Sequence, residues 1–148
     1  MTWIALFRTV LSDRRGAVAI EFAAIALPLV LILGGTIEIS RYTWTRMALQ
    51  DAASTGARCL GLRLAPCFVN GSMDQSETMT VVTDQAMQWG VSISSDPGTV
   101  TPEAVSDCQN TTAVDFARVG IRHRFSSVLA ALADTSIEVE ACFPVSPA

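Results

Sequence analysis

A long apolar run interrupted by one acid constrains this chain more than any other feature of its sequence. The run covers residues 17–37, and its single charged residue is Glu21. As an α-helix these residues would extend roughly 30 Å, the thickness of the hydrocarbon core of a bilayer. Three arginines precede the run, and basic residues beside a membrane span favour the cytoplasmic side. We therefore expect one membrane-spanning helix with a cytoplasmic N-terminus.

The helical pattern continues past the apolar run. No proline occurs in residues 38–62, so the two segments together predict one helix of about 45 residues. The continuation carries a stripe of small residues at spacings of three and four: Ala48, Ala52, Ala53, Gly56 and Ala57. Such a stripe allows close approach of a helix from a neighbouring subunit, or of the chain's own sheet. The sequence leaves both interpretations open.

Residues 63–148 predict a small head of mixed α and β structure. Glycine and proline residues mark a loop after the long helix, and a second helix is expected at about residues 73–89. A capping box formed by Ser72 with Gln75 is expected to begin it, and Gly90 is expected to cap its C-terminus.

The remainder of the head predicts mainly β-structure. A short strand is expected at residues 91–93, and apolar alternation predicts two longer strands at 119–125 and 137–143. The alternation reverses before the first of these, which predicts a bulge near residues 117–118. Residues 126–135 are expected to form a short helical connection.

Antiparallel pairing of the two longer strands would bring opposite charges together. Arg122 and Arg124 would then face Glu138 and Glu140 across the ladder. The predicted fold class is therefore α+β: a long N-terminal helix with a transmembrane segment, followed by a small disulfide-stabilised head.

Four cysteines, all beyond the apolar run, predict disulfides in an oxidising compartment. Four cysteines allow three pairings, and we expect Cys59–Cys67 and Cys108–Cys142. On the loop-entropy model these would stabilise the head by roughly 2.5 and 4 kcal/mol. No cysteine lies in a CxxC pair and His123 is the only histidine, so neither a metal site nor a cofactor is expected.

The surroundings of Glu21 contain the most informative motif. A lone acid inside an apolar span costs about 2.5–3.5 kcal/mol on insertion scales, so it normally has a partner. Cleavage after Gly16 would create a new amine on Ala17 and place Glu21 at the fifth mature position. Its carboxylate could then neutralise the N-terminal amine of a neighbouring subunit. The simpler alternative is an acid tolerated near the membrane interface.

This arrangement resembles the type IV prepilins, in which a short basic leader ends in glycine and a glutamate stands at mature position five. Within that class it is most similar to the TadE-like proteins of tight-adherence (Flp-type) pilus systems. The residues that carry the resemblance are Arg15-Gly16, Ala17 to Ile20, Glu21-Phe22, Leu27-Pro28 and Glu38 to Tyr42. The TadF-like proteins share the N-terminal pattern and remain an alternative.

The resemblance implies a leader at residues 1–16, a transmembrane segment at 17–37, a helical continuation at 38–62 and a head at 63–148. It implies removal of the leader by a prepilin peptidase, with Glu21 and Phe22 taking part in subunit assembly. The expected partners are that peptidase, other pilins or pseudopilins, and the inner-membrane assembly platform. The expected location is the inner membrane with a periplasmic head, or the extracellular pilus after assembly. A mature chain of this length suggests a minor subunit.

Other classes of function find no support in the sequence. It lacks a glycine-rich phosphate loop, a Gly-x-Ser-x-Gly turn and a paired acidic motif, so we expect no enzyme. No arginine-rich stretch is interleaved with aromatic residues, so nucleic acid is not an expected partner. The alternative to a pilin is an uncleaved single-pass anchor that presents a periplasmic or extracellular binding or adhesin head.

Overall fold

The computed structural model describes residues 16–94, 96, 98–108, 111, 114–128 and 135–146. The chain divides into two compact units, Met1–Ile39 and Ser40–Ala148. A single helix, α1 (Ala17–Gly61), contributes residues to both units. A second helix and two small sheets complete the head, so the predicted α+β class is confirmed. The predicted leader lies outside the described residues, except for Gly16.

Helix α1 begins and ends close to the predicted positions. It continues through Pro28, which removes one backbone donor without ending the helix. At its C-terminus, Arg63 adopts a left-handed conformation with φ of 54°, and the Leu64 amide donates to the Cys59 carbonyl at 2.9 Å. This reversal satisfies a carbonyl of the last turn and directs the chain back along the head.

A two-stranded hairpin connects the long helix to the second one. Strands β1 (Phe68–Val69) and β2 (Ser72–Met73) pair antiparallel around Asn70-Gly71. Both turn residues have positive φ, 53° and 81°, as a tight hairpin turn requires.

Helix α2 (Gln75–Gln88) lies where the second helix was predicted, but its cap differs. The expected capping residue Ser72 is paired within β2, so that prediction was wrong. Asp74 caps the helix instead, and its carboxylate accepts from the Ser76 and Glu77 amides at 3.0 Å each. The predicted C-terminal role of Gly90 is confirmed by its φ of 75° directly after the cap residue.

The main sheet contains three antiparallel strands in the order β3 (Val100–Val105), β4 (Phe116–Phe125) and β5 (Thr135–Pro144). Strand β3 was not predicted, because Pro102 interrupts its pattern; an edge strand tolerates a proline. The strand predicted at residues 91–93 was wrong. That segment belongs to no strand and contributes buried side chains to the core.

The register of β4 with β5 is continuous from Phe116↔Pro144 to Phe125↔Thr135, so the bulge predicted near residues 117–118 was wrong. Phe116 simply lies on the opposite face from Ala117, which is buried. The change in the apolar alternation before Ala117 therefore needs no extra residue in β4.

One of the two predicted cross-strand charge pairs is present. Arg122 lies opposite Glu138, with Nε 2.8 Å from Oε1. Arg124 lies opposite Ser136, and Glu140 lies opposite Gly120, so the second pair was wrong. In an antiparallel ladder, moving two residues forward on one strand moves two residues backward on the other.

The core of the head lies between the helices and one face of the main sheet. Its largest fully buried side chains include Leu49 of α1, Val82 of α2, and Val100, Val119 and Ile137 of the sheet. The small-residue stripe belongs to this core, since Ala48, Ala52, Ala53 and Ala57 are all fully buried. The stripe therefore packs against the chain's own head, which decides between the two interpretations.

Both predicted disulfides are present. Cys59–Cys67, with Cα atoms 5.9 Å apart, joins the end of α1 to the segment before β1. Cys108–Cys142, with Cα atoms 6.5 Å apart, joins the chain after β3 to β5. Each bond therefore ties an irregular segment to a regular element of the head.

Candidate functional site

The predicted cleavage junction coincides with the start of α1. Gly16 precedes the helix, and its carbonyl accepts the Ile20 amide at 3.1 Å. A cut between Gly16 and Ala17 would therefore leave a chain that is helical from its first residues. The helix N-terminus would then carry the new amine beside the unpaired amides of the first turn.

Glu21 lies about one helical turn after this junction, roughly 6 Å along the axis from Ala17. Its side chain is exposed, and neighbouring Phe22 is 73% exposed. Within residues 16–94 the structure shows no ion pair for Glu21. The exposed acid therefore stands on an apolar helix surface.

The N-terminal part of α1 presents apolar side chains around its whole circumference. Those between 50% and 75% exposed are Val18, Ile20, Phe22, Ile25, Leu27, Leu29, Val30, Leu31, Ile32, Leu33, Ile37 and Ile39. An 18-residue window of the helix has a mean hydropathy of 2.3, and none of that window is buried. By length and composition, the helix is thus long and apolar enough to cross a membrane.

The residues that follow the apolar run, Glu38 to Tyr42, differ from this surface, and we call them the exit motif. Glu38 is only 4% exposed, although the adjacent Ile39 is 65% exposed. Two residues later, Arg41 places its guanidinium carbon 5.5 Å from the centre of the Phe125 ring. Tyr42 meets the same ring edge-on at 5.5 Å between centroids. The aromatic residue of the exit motif is therefore a packing residue of the head.

A tryptophan pair on the head was missed by sequence reasoning. The rings of Trp44 and Trp89 meet edge-on, with centroids 5.3 Å apart. The Trp44 indole donates to the Trp89 carbonyl at 3.2 Å, and the Trp89 indole donates to the Asp51 carboxylate at 3.0 Å. Trp44 and Asp51 are seven residues apart, which places them on one helix face, and that spacing was the available clue.

His123 lies on β4 opposite Ile137, between two arginines. Burial lowers the pKa of its imidazole, because the partly buried ring loses hydration that would favour the charged form. Among the described residues, no group of three or more His, Cys, Asp or Glu side chains could hold a metal ion. The arrangement of His123 is that of a structural residue on a strand.

The chain was also compared with known proteins. The family model described as TadE-like protein matches residues 16–58. This segment is TadE-like. The match begins at Gly16, the residue before the predicted cleavage point, includes Glu21 and the exit motif, and ends within α1 one residue before Cys59. No curated protein and no solved structure matches the chain.

The TadE-like segment confirms the resemblance expected from the motif and indicates involvement in a tight-adherence pilus, with pilus components as partners. Its apolar helix indicates membrane anchoring. The strands, α2 and both disulfides lie beyond the matched residues, so the match describes the N-terminal helix and not the head.

Proposed function

We propose that this TadE-like chain is a minor pilin-like subunit (a pseudopilin) of tight-adherence pilus assembly. A prepilin peptidase removes residues 1–16, and the mature protein assembles with other pilins through its N-terminal helix on the inner-membrane platform. The head lies in the periplasm and, after assembly, in the extracellular pilus that mediates adhesion. The observation that supports this most is the exposed apolar run of α1, residues 17–37, whose one acid, Glu21, follows the Gly16–Ala17 junction by a turn.

The proposed assembly step depends on charge neutralisation in a medium of low dielectric constant. A charged group unpaired in the hydrocarbon region is costly, so Glu21 favours any position that supplies a cation. The amine created at Ala17 is such a cation, and a neighbouring pilin cleaved at the corresponding position would carry its amine at the same end of its own N-terminal helix. Cleavage would therefore create the group that draws the next subunit into register.

The role proposed for the chain is structural and not enzymatic. Three surface depressions of the described residues are open grooves around the sheet and helix ends. None contains an arrangement of nucleophile, base and charge-stabilising donors that would support a reaction. The head contributes a packed and cross-linked body whose surface contacts other pilus components.

Cleavage is tested by co-expressing the full chain with a prepilin peptidase and measuring its intact mass. We expect a loss of about 1.9 kDa, the mass of residues 1–16. Gly16→Leu should block this loss. Gly35→Leu is the matched control, because no atom lies within 4 Å of a side chain added there. An unchanged mass of the parent chain would contradict the proposal and favour the uncleaved anchor with a binding head.

Assembly is tested separately with Glu21→Gln, which keeps the shape of the side chain and removes its charge. We expect normal cleavage but strongly reduced recovery of the protein in sheared pili or in complexes with other pilins. Leu29→Gln places the same amide elsewhere on the exposed helix and controls for polarity. Equal recovery of Glu21→Gln and the parent would exclude the pairing mechanism.

A further inference from the structure

The two edges of the main sheet differ in their capacity to accept another strand. The edge strands are β3 and β5, and among the described residues neither pairs with any strand except β4. An edge strand alternates between residues whose backbone groups bond to the sheet and residues whose backbone groups point away from it. A strand from another molecule can bond to these outward groups, provided that each can donate and accept.

Hydrogen-bond directions show which residues of β5 point outward. The Arg122 amide donates to the Thr99 carbonyl, so the even-numbered residues of β4 bond toward β3 and the odd-numbered ones bond toward β5. By the register, the odd-numbered residues of β5 bond to β4. The even-numbered residues Ser136, Glu138 and Glu140 therefore direct their amides and carbonyls outward, and all three are exposed.

The edge formed by β3 is blocked, whereas the edge formed by β5 is open. Pro102 lies opposite Val119, an odd-numbered residue of β4, so it occupies an outward position of β3 where it has no amide to donate. At the other edge, the Glu140 carbonyl accepts the side-chain amide of Gln50 at 2.9 Å. Among the described residues, the other outward groups from the Ser136 amide to the Glu140 amide form no hydrogen bond.

The exposed face of β5 determines which charge an added strand would meet. Glu138 and Glu140 both lie on this face. Glu138 is paired with Arg122 of β4, whereas Glu140 lies opposite Gly120, which has no side chain. Arg118, the next arginine along β4, forms its ion pair with β3. The position beside Glu140 that can still supply a cation is therefore the one that an added strand would occupy.

A second copy of β5 is a poor occupant of this edge. Two β5 strands paired antiparallel around residues 138–140 would place acids beside acids, and like charges directly opposite each other destabilise a ladder. Strand β5 contains no basic residue that could offset this repulsion. The occupant that fits is an extended segment with a basic side chain on the exposed face.

We propose that the β5 edge accepts an extended basic segment of another pilus component as an additional strand of the main sheet, with an arginine or lysine beside Glu140. Backbone hydrogen bonds provide the contact, and the acid selects the segment. Strand β5 and Gln50 both belong to the unit Ser40–Ala148, so the edge is a feature of the head alone. The nature of the partner, a pilus component, rests on the proposed function.

Peptide binding to the full chain in detergent micelles tests the inference. The probe is a labelled peptide of alternating threonine and valine with one central arginine, and the control peptide has glutamate in place of that arginine. Fluorescence anisotropy should show about tenfold tighter binding of the arginine peptide, because an attractive cross-strand pair replaces a repulsive one. Binding should slow hydrogen exchange of the Ser136, Glu138 and Glu140 amides, but not that of Ala104 at the β3 edge.

Two pairs of variants separate the charge from the backbone contact. Glu140→Lys should reverse the preference between the peptides, whereas Asp84→Lys makes the same charge change on exposed α2 and should not. Ser136→Pro removes an outward amide, as Pro102 does on β3, and should weaken binding of the arginine peptide. Ala104→Pro makes this change at the β3 edge and should leave binding unchanged. Retained disulfides and an unchanged far-UV spectrum show that each variant is folded.

Several results would overturn the inference. These are failure of the arginine peptide to bind, equal binding of the two peptides, and binding that does not slow exchange of the three β5 amides. Protection of these amides that rises with the concentration of the free chain would show that a second copy covers the edge, and the inference would again be wrong. None of these results bears on cleavage after Gly16, which the intact mass tests separately, so the two failures are distinguishable.

Discussion

The two halves of α1 have similar side chains in opposite surroundings. Leu29 is 53% exposed, whereas Leu49 of the same helix is fully buried. Around Leu29 the apolar side chains cover every side of the helix, while around Leu49 small residues lie against α2 and the main sheet. The first half therefore leaves its apolar side chains exposed, and the second half buries them against its own head. The TadE-like match over residues 16–58 coincides with this helix and includes no strand of the head.

The largest expected effect is a loss of stability of the head when one of its disulfides is removed, with no effect on the N-terminal half of α1. Replacing both Cys108 and Cys142 by serine should lower the free energy of unfolding of the head by about 4 kcal/mol, because the bond closes a long loop. The same change at Cys59 and Cys67 should cost only about 2.5 kcal/mol, because their loop is shorter. Urea titration followed by tryptophan fluorescence measures both.

In the same titration, the helicity of the apolar run in vesicles should not change. Protection of that segment from protease provides the check. Loss of its protection together with the head would contradict the independence of the two halves.

A smaller effect is expected when one methyl group is added to either half of α1 and the stability of the head is compared. Gly56→Ala would place a Cβ 2.6 Å from Val82 Cγ2, and overpacking of this kind typically costs about 1–3 kcal/mol. Gly35→Ala meets no atom within 4 Å, so the stability of the head should be unchanged. Thermal unfolding of the two variants compares them directly, and equal melting temperatures would show that the core around Gly56 is looser than its packing indicates.

The smallest effect concerns Asp74, the N-terminal cap of α2, whose contribution to the stability of the head depends on pH. Hydrogen bonds from the Ser76 side chain and the Glu77 amide lower the pKa of Asp74. A carboxylate with a lowered folded pKa contributes stability above its ordinary pKa and loses that contribution as the pH falls through the lowered value. Asp74→Ala should therefore destabilise the head slightly at neutral pH, and the difference from the parent should vanish in strong acid.

Asp74→Asn serves as the matched control, because asparagine also caps helices but carries no charge. The free energy of unfolding of this variant at neutral pH should be close to that of the parent. Because asparagine does not titrate, the variant should lose less stability than the parent as the pH falls. Chemical unfolding at a series of pH values gives the measurement. An alanine variant as stable as the parent at neutral pH would show that the cap contributes nothing.

Local patterns predicted the features that depend on nearby residues. The length of α1, the cap at Gly90 and the alternation of β4 and β5 follow from periodicity and glycine chemistry. The Arg122–Glu138 pair also follows once the two strands are placed side by side. The junction before Ala17 is likewise a local motif, and its cleavage stays a prediction.

Features that depend on tertiary position were predicted less well. Strand β3 is stabilised by pairing with β4 in spite of Pro102, and no local pattern shows which strand lies at an edge. Asp74 competes with Ser72 for the same cap, and the hairpin decides between them. The Trp44–Trp89 contact joins residues 45 positions apart, so only the folded chain brings them together.

The central claim is that cleavage after Gly16 creates an amine that pairs with Glu21 of a neighbouring subunit. The chain contains no lysine, so Ala17 would carry the only primary amine of the processed protein. A carbodiimide joins a carboxylate to an amine only when the two groups are in contact. Treatment of assembled material followed by mass spectrometry therefore reports on this contact directly.

We predict an amide between Glu21 and the N-terminal amine of another subunit, absent from Glu21→Gln and from uncleaved Gly16→Leu. A mixture of isotopically light and heavy chains separates a bond between two copies from one within a single chain. Cleaved and assembled protein whose Ala17 amine remains free, or is joined only to Glu21 of its own chain, would contradict the account.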